Sequence, residues 1–106
     1  VNTGPVGLAR VCTLRSWLSQ WSFEDANACG PTSLASVSKP VLVVGNTADD
    51  ACTPSHTDAL FDAVTHEHKA KFEIEGANHY YMGQPELAAE ATGAVLDWLR
   101  ENDFPV

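Results

Sequence analysis

The hydrophobic positions divide the chain into two parts, and Lys39-Pro40 marks the change between them. From Lys39 onward, the periodicity predicts a strand, a helix, a second strand and a second helix. The apolar run Val41–Val44 is typical of a strand that is buried on both faces of a parallel sheet. This alternation of strands and helices predicts an α/β fold for residues 39–106.

The elements after this first strand follow from their periods and their end signals. Pro54 opens a helix that we expect to end near Thr65, because proline is favoured in the first helical turn. Residues 70–75 alternate between apolar and charged side chains, which predicts a strand near the edge of the sheet. Pro85 opens the last helix, and the residues of its inward face are Leu87, Ala91, Ala94, Val95, Trp98 and Leu99.

Residues 1–38 contain no convincing strand and are predicted to form a helical cap-like or lid-like segment. Apolar residues recur at helical spacing over residues 9–21. This stripe consists of Val11, Leu14, Trp17, Leu18 and Trp21. Large aromatic residues at such spacing are typical of core packing. A helix rich in tryptophan would also suit a lid over an acyl pocket, with Trp17 and Trp21 lining the substrate site.

The strand Val41–Val44 cannot be buried on both faces by the elements of this chain alone. Two parallel strands and one crossover helix make a single unit, and further strands are needed to cover a two-sided strand. We therefore expect the rest of the sheet to come from an N-terminal part of the same protein or from a partner chain.

The charge of the chain excludes several classes of partner. Fourteen acidic residues against six basic ones give a formal net charge of −8. This charge disfavours nucleic acid and anionic membrane surfaces, because both are negatively charged. The longest apolar runs are far shorter than the ~20 residues that a membrane-spanning helix needs. We expect a cytoplasmic protein without nucleic-acid or membrane partners.

Cysteine and histidine patterns do not predict a metal site or a cofactor. The three cysteines are too few and too irregularly spaced for a disulfide framework or a zinc knuckle, and we expect them to be buried or half-buried. They are Cys12, Cys29 and Cys52. His66 and His68 are predicted to lie in an exposed polar turn. His56 is the only extra candidate ligand, and we expect no metal.

Candidate catalytic side chains follow each of the two predicted strands. Asp49 and Asp50 come after the first strand, and His79 comes after the second. The carboxyl ends of parallel strands meet at one edge of a sheet, where catalytic groups gather. A carboxylate there can orient an imidazole, which then takes a proton from a serine hydroxyl. Such an acidic pair in a loop could instead only cap the next helix.

The segment from Lys39 to Pro54, KPVLVVGNTADDACTP, resembles the acid-bearing strand and turn of α/β-hydrolases. Gly76-Ala-Asn-His79 resembles the histidine loop of that family. The resemblance covers residues 39–102 and implies the C-terminal portion of a mostly parallel α/β-hydrolase sheet. In the family the acid commonly lies four residues before a helix-opening proline. This spacing favours Asp50 as the catalytic acid, with Asp49 as the alternative.

The nucleophile that this resemblance implies is absent, because no Gly-x-Ser-x-Gly elbow occurs in the 106 residues. The chain is therefore predicted to be a C-terminal fragment of a serine hydrolase, esterase-like, that acts on an ester or another acyl substrate. Alone it would be inactive. Tyr80 and Tyr81 are expected to wall the substrate pocket. The alternatives are a non-catalytic module that completes a partner's sheet and a small ligand-binding protein that uses the aromatic helix.

Overall fold

The computed structural model describes residues 2–3, 9–10, 13–22, 24 and 26–106. The chain divides into two compact units, Val1–Gly30 and Pro31–Val106. The predicted boundary between residues 38 and 39 lies inside the second of these units.

The first unit contains a short hairpin of strands and one helix. Strand β1 (Asn2–Thr3) pairs antiparallel with β2 (Ala9–Arg10), and helix α1 spans Leu14–Trp21. The prediction that this part has no strand is wrong, and so is the predicted helix start at residue 9. The helix begins later because the Thr13 side chain accepts a hydrogen bond from the Ser16 N–H at 3.1 Å, which caps the first turn.

The aromatic stripe of α1 is exposed. Its four described members are between 39% and 72% exposed, and α1 has no buried residue. They are Leu14, Trp17, Leu18 and Trp21. The prediction that this stripe packs in a core is therefore wrong for these four side chains, whereas Val11 lies outside the described residues.

Helix α2 (Gly30–Leu34) crosses the boundary between the units, and four longer elements follow it. These are β3 (Val41–Asn46), α3 (Pro54–Ala63), β4 (Lys69–Ile74) and α4 (Pro85–Glu101). The predicted strand–helix–strand–helix order of this part is confirmed, and its α/β character with it. Proline stands at the start of both α3 and α4, where a missing N–H costs no hydrogen bond.

The two strands of the second unit are parallel neighbours, with Val41 opposite Lys69 and Asn46 opposite Ile74. Helix α3 packs on one face of this sheet: a Cβ atom added to Gly45 would lie 2.7 Å from Thr57 Cγ2. Helix α4 packs on the other face. The core there consists of Ile74, Ala77 and Ala91, with Val44, Tyr81 and Leu87 packed against it.

The central strand is only partly covered. Val43 is buried, whereas Val41, Leu42 and Val44 are half-buried. Among the described residues, β3 pairs with β4 alone, so its other edge carries no neighbouring strand. A groove between the sheet and α4 is lined mainly by apolar side chains, among them Leu42, Ala70, Phe72, Ala94 and Trp98. The further strands that the sequence pattern predicts for this sheet are not found among the described residues.

Candidate functional site

Backbone hydrogen bonds continue between the two chain segments after β3 and β4 have ended. The Thr47 N–H donates to the Ile74 carbonyl and the Ala48 N–H donates to the Ala77 carbonyl, both at 3.1 Å. The Gly76 N–H donates to Thr47 Oγ1 at 2.8 Å. The two loops that follow the strands are therefore held side by side at one edge of the sheet.

Asp49 lies in the first of these loops and is only 9% exposed. Its Oδ1 atom accepts hydrogen bonds from the N–H groups of Ala51 and Cys52, each at 2.8 Å. Its Oδ2 atom lies 2.8 Å from Nδ1 of His79. The carboxylate is thus fixed by its own loop on one side and faces the histidine on the other.

The protonation of this pair follows from its contacts. Burial raises the pKa of Asp49, but the hydrogen bonds from Cys52, His79 and Ala51 outweigh this effect, so the pKa lies below its ordinary value of 3.8. Asp49 is therefore ionised at neutral pH. An ionised carboxylate can only accept a hydrogen bond, so Nδ1 of His79 carries the donated proton. In the neutral imidazole, Nε2 is then the free acceptor.

The histidine loop is braced from both sides by Gln84. The Asn78 N–H donates to Oε1 of Gln84 at 2.8 Å, and Nε2 of Gln84 donates to the Gly76 carbonyl at 2.8 Å. Oδ1 of Asn78 accepts from the N–H groups of Tyr80 and Met82 at 3.2 and 2.9 Å. These bonds enclose His79 and restrict the positions that its backbone can take.

A second brace connects the histidine loop to the end of β3. Nδ2 of Asn46 donates to the Asn78 carbonyl at 3.0 Å, and the Tyr81 hydroxyl donates to Oδ1 of Asn46 at 2.8 Å. Tyr81 has a φ of 52°, a backbone conformation that non-glycine residues seldom adopt. The sequence analysis missed Asn46 and Gln84. The available signal was that each is a polar side chain adjoining a predicted strand or helix at this edge.

The carboxylate that contacts His79 is that of Asp49, so the expectation that the acid beside the histidine would be Asp50 is wrong. Asp50 is exposed. The loop turns the carboxylate of Asp49 inward instead, because that carboxylate accepts hydrogen bonds from two backbone N–H groups.

Tyr80 lies beside His79, with ring centroids 4.6 Å apart and the planes nearly perpendicular. Tyr81 instead packs against the core of the α4 face. Catalytic roles for these residues stay predictions.

The remaining predicted residues fall at other places. Trp17 and Trp21 lie in α1 of the first unit, and as pocket residues they stay a prediction. His66 is half-buried, and both of its ring nitrogens are shielded without a hydrogen-bond partner among the described residues, so the expected exposed turn is wrong for it. His68 is exposed. His56 is exposed in the first turn of α3.

Cys52 joins the pair of Asp49 and His79. One donor atom from each of these three side chains lies within 4.8 Å of the other two. Cys52 is exposed, and so is Cys29, which contradicts the prediction of buried cysteines; Cys12 lies outside the described residues. Cys52 stands in the loop before α3. Its N–H donates a hydrogen bond to the carboxylate of Asp49, whereas its side chain is exposed.

Comparisons with protein-family models, curated proteins and solved structures found no significant match to this chain. Within the described part of the chain, no helix combines the length and the apolar character that crossing a membrane requires.

Proposed function

We propose that this chain carries the acid and the histidine of a serine-type α/β-hydrolase, with Asp49 as the acid and His79 as the general base. The observation that supports the proposal most strongly is the 2.8 Å contact between Oδ2 of Asp49 and Nδ1 of His79. The two side chains follow neighbouring parallel strands, which is where catalytic groups of open α/β sheets are found.

In this proposal Asp49 acts through His79. It holds the Nδ1 proton, so that Nε2 of the neutral ring is free to accept another proton. It also stabilises the imidazolium that forms when Nε2 takes the proton of a serine hydroxyl. The side chain of His79 is 33% exposed, so the imidazole is partly open to a reacting group.

The reaction proceeds by two acyl transfers. The serine oxygen attacks the acyl carbonyl as its proton passes to Nε2 of His79, and His79 then gives that proton to the leaving group. Water attacks the acyl-enzyme in the same way and releases the acid. Backbone N–H groups near the serine would stabilise the oxyanion.

The proposal requires a serine from outside these 106 residues, because they contain no Gly-x-Ser-x-Gly elbow. The open edge of β3 fits this requirement, since a further strand of a hydrolase sheet would pair with it. The serine would then stand on the added sheet, on the same edge as His79.

The open strand edge equally favours a second candidate, a non-catalytic module that completes a partner's sheet. This candidate gives no role to an ionised, nearly buried carboxylate that faces a partly exposed imidazole. The Asp49–His79 contact is therefore the reason to prefer the hydrolase. The exposed tryptophans of α1 are the only support for a ligand-binding protein among the described residues.

Fluorophosphonate labelling of the assembled hydrolase tests the proposal, with this chain joined to or mixed with the part that supplies the serine. We expect the wild-type assembly to be labelled on serine and His79→Ala to abolish labelling. His56→Ala is the matched control, because His56 is exposed in α3, and it should label like wild type. Full labelling of the His79→Ala assembly would overturn the proposal.

A further inference from the structure

We infer that Asp49, Cys52 and His79 form a binding site for a thiophilic divalent cation, with Zn²⁺ as the best match. The three side chains offer one oxygen, one sulfur and one nitrogen, and these donor atoms lie within 4.8 Å of one another. They are the one such group of histidine, cysteine and acidic side chains in the described part of the chain. Cation binding at this site does not depend on the serine that the proposed hydrolase needs.

The loop geometry brings these donors together. Asp49 and Cys52 stand three residues apart in the loop before α3, and the Cys52 N–H donates to Oδ1 of Asp49 at 2.8 Å. This bond folds the loop back, so the thiol and the carboxylate lie near the same point. His79 reaches that point from the loop after β4. Cys52 is exposed, which leaves a path for a cation from solvent.

The donor set selects the class of cation. Zn²⁺ is commonly bound by cysteine sulfur, histidine nitrogen and carboxylate oxygen, whereas Mg²⁺ and Ca²⁺ require several oxygen ligands. Three protein ligands leave one tetrahedral position for water. Neighbouring ligand atoms of a tetrahedral zinc site are about 3.5 Å apart, since each lies about 2.0–2.3 Å from the metal. Oδ2 of Asp49 and Nδ1 of His79 are already 2.8 Å apart, and no two of the three donor atoms are more than 4.8 Å apart. The cation would take the place of the proton on Nδ1, and the Cys52 thiol would also lose its proton on binding.

The sequence pattern did not predict this site, because Asp49, Cys52 and His79 share no helical or short-motif spacing. His56, the extra candidate ligand of the sequence analysis, is not a member of the group. If the proposed hydrolase function holds, a bound cation would engage His79 and inhibit proton transfer. That consequence depends on the proposed function, whereas cation binding itself does not.

Cobalt titration of the 106-residue chain tests the site. Co²⁺ takes the place of Zn²⁺ and gives a charge-transfer absorption band when a thiolate binds it. We expect a saturable band with one equivalent of Co²⁺, which Zn²⁺ then displaces. Cys52→Ser should remove the band. Asp49→Asn and His79→Ala should each weaken Co²⁺ binding by at least roughly 10–100-fold. Loss of a residue that only supports a metal ligand already costs this much.

Two matched control variants locate the site. The double variant Cys12→Ser/Cys29→Ser keeps Cys52 as the only thiol and should keep the band. His56→Ala should also keep it. Circular dichroism establishes that each variant is folded. A folded wild-type chain without a band, or a band that survives Cys52→Ser, would overturn the site. Such a failure leaves the hydrolase proposal intact, because labelling of a serine does not depend on Cys52.

Discussion

Nδ1 of His79 lies 2.8 Å from Oδ2 of Asp49, although the two residues are 30 positions apart in the chain. The contact follows from the parallel register of β3 and β4, which backbone hydrogen bonds extend past the strand ends to Ala48 and Ala77. Asp49 follows Ala48 directly and His79 lies two residues after Ala77, and their side chains meet between the two loops. A buried carboxylate that faces a partly exposed imidazole is the feature on which the proposed chemistry depends.

The lowered pKa of Asp49 predicts a pH dependence of stability. A carboxylate whose pKa is lower in the folded state stabilises the fold above its ordinary pKa of 3.8, and this stabilisation is lost as the pH falls through the lowered value. Urea unfolding should therefore give a higher free energy of unfolding for wild type than for Asp49→Asn. The margin between the two should be constant above pH 3.8 and shrink below it.

The matched control for this pH dependence is Asp50→Asn. This variant keeps Asp49 and its hydrogen bonds, so it should keep the acid-dependent loss of stability. A margin between wild type and Asp49→Asn that grows as the pH falls would contradict the proposed ionised state of Asp49.

The close packing of α3 on β3 predicts that Gly45→Ala is destabilising. The added Cβ would lie 2.7 Å from Thr57 Cγ2 and 2.8 Å from Thr57 Oγ1, and neither atom can move far because the threonine side chain is short. We expect a loss of about 1–3 kcal/mol in the free energy of unfolding, as for other overpacked sites. Chemical denaturation measures it.

Gly93→Ala is the matched control for Gly45. It stands in α4 with no atom within 4 Å of an added Cβ, so alanine should stabilise the helix by about 0.5–1 kcal/mol. Thr57→Ala combined with Gly45→Ala should recover part of the loss. Equal stability of the two single variants would show that α3 does not pack as described.

The brace formed by Gln84 predicts a role in holding the histidine loop. Gln84→Ala removes the bonds to the Asn78 N–H and the Gly76 carbonyl, and we expect it to lower stability by about 1–3 kcal/mol. Hydrogen exchange at residues 76–82 should become faster. Met82→Ala is the control, because Met82 is 75% exposed. Unchanged exchange in Gln84→Ala would refute the brace.

The second unit was largely predictable because its signals are local. Val41 begins β3 and Pro85 begins α4 as predicted, since an apolar run and a proline each define an element by themselves. The start of α1 could not be predicted in this way, because it depends on the hydrogen bond that caps the helix at Thr13. The short pairing of β1 with β2 gives too few residues for any periodicity.

The candidate site was predictable only in part. Strand order alone brings the acidic pair and His79 to one edge, but it does not determine which of two consecutive acids turns inward. Asp49 does so because two backbone N–H groups of its own loop bind it. The position of Cys52 depends equally on the folded loop, so no spacing in the sequence indicates it. Asn46 ends β3, and its polar side chain after an apolar run was the available signal.

The most direct test of the hydrolase proposal is the rate of fluorophosphonate labelling of the assembled enzyme in two variants. We predict that Asp49→Asn lowers this rate by roughly three to four orders of magnitude, as loss of a triad carboxylate does, because His79 loses the partner that fixes its tautomer. Asp50→Asn should label at the wild-type rate. A wild-type rate in Asp49→Asn, or a comparable loss in Asp50→Asn, would contradict the assignment of Asp49 as the catalytic acid.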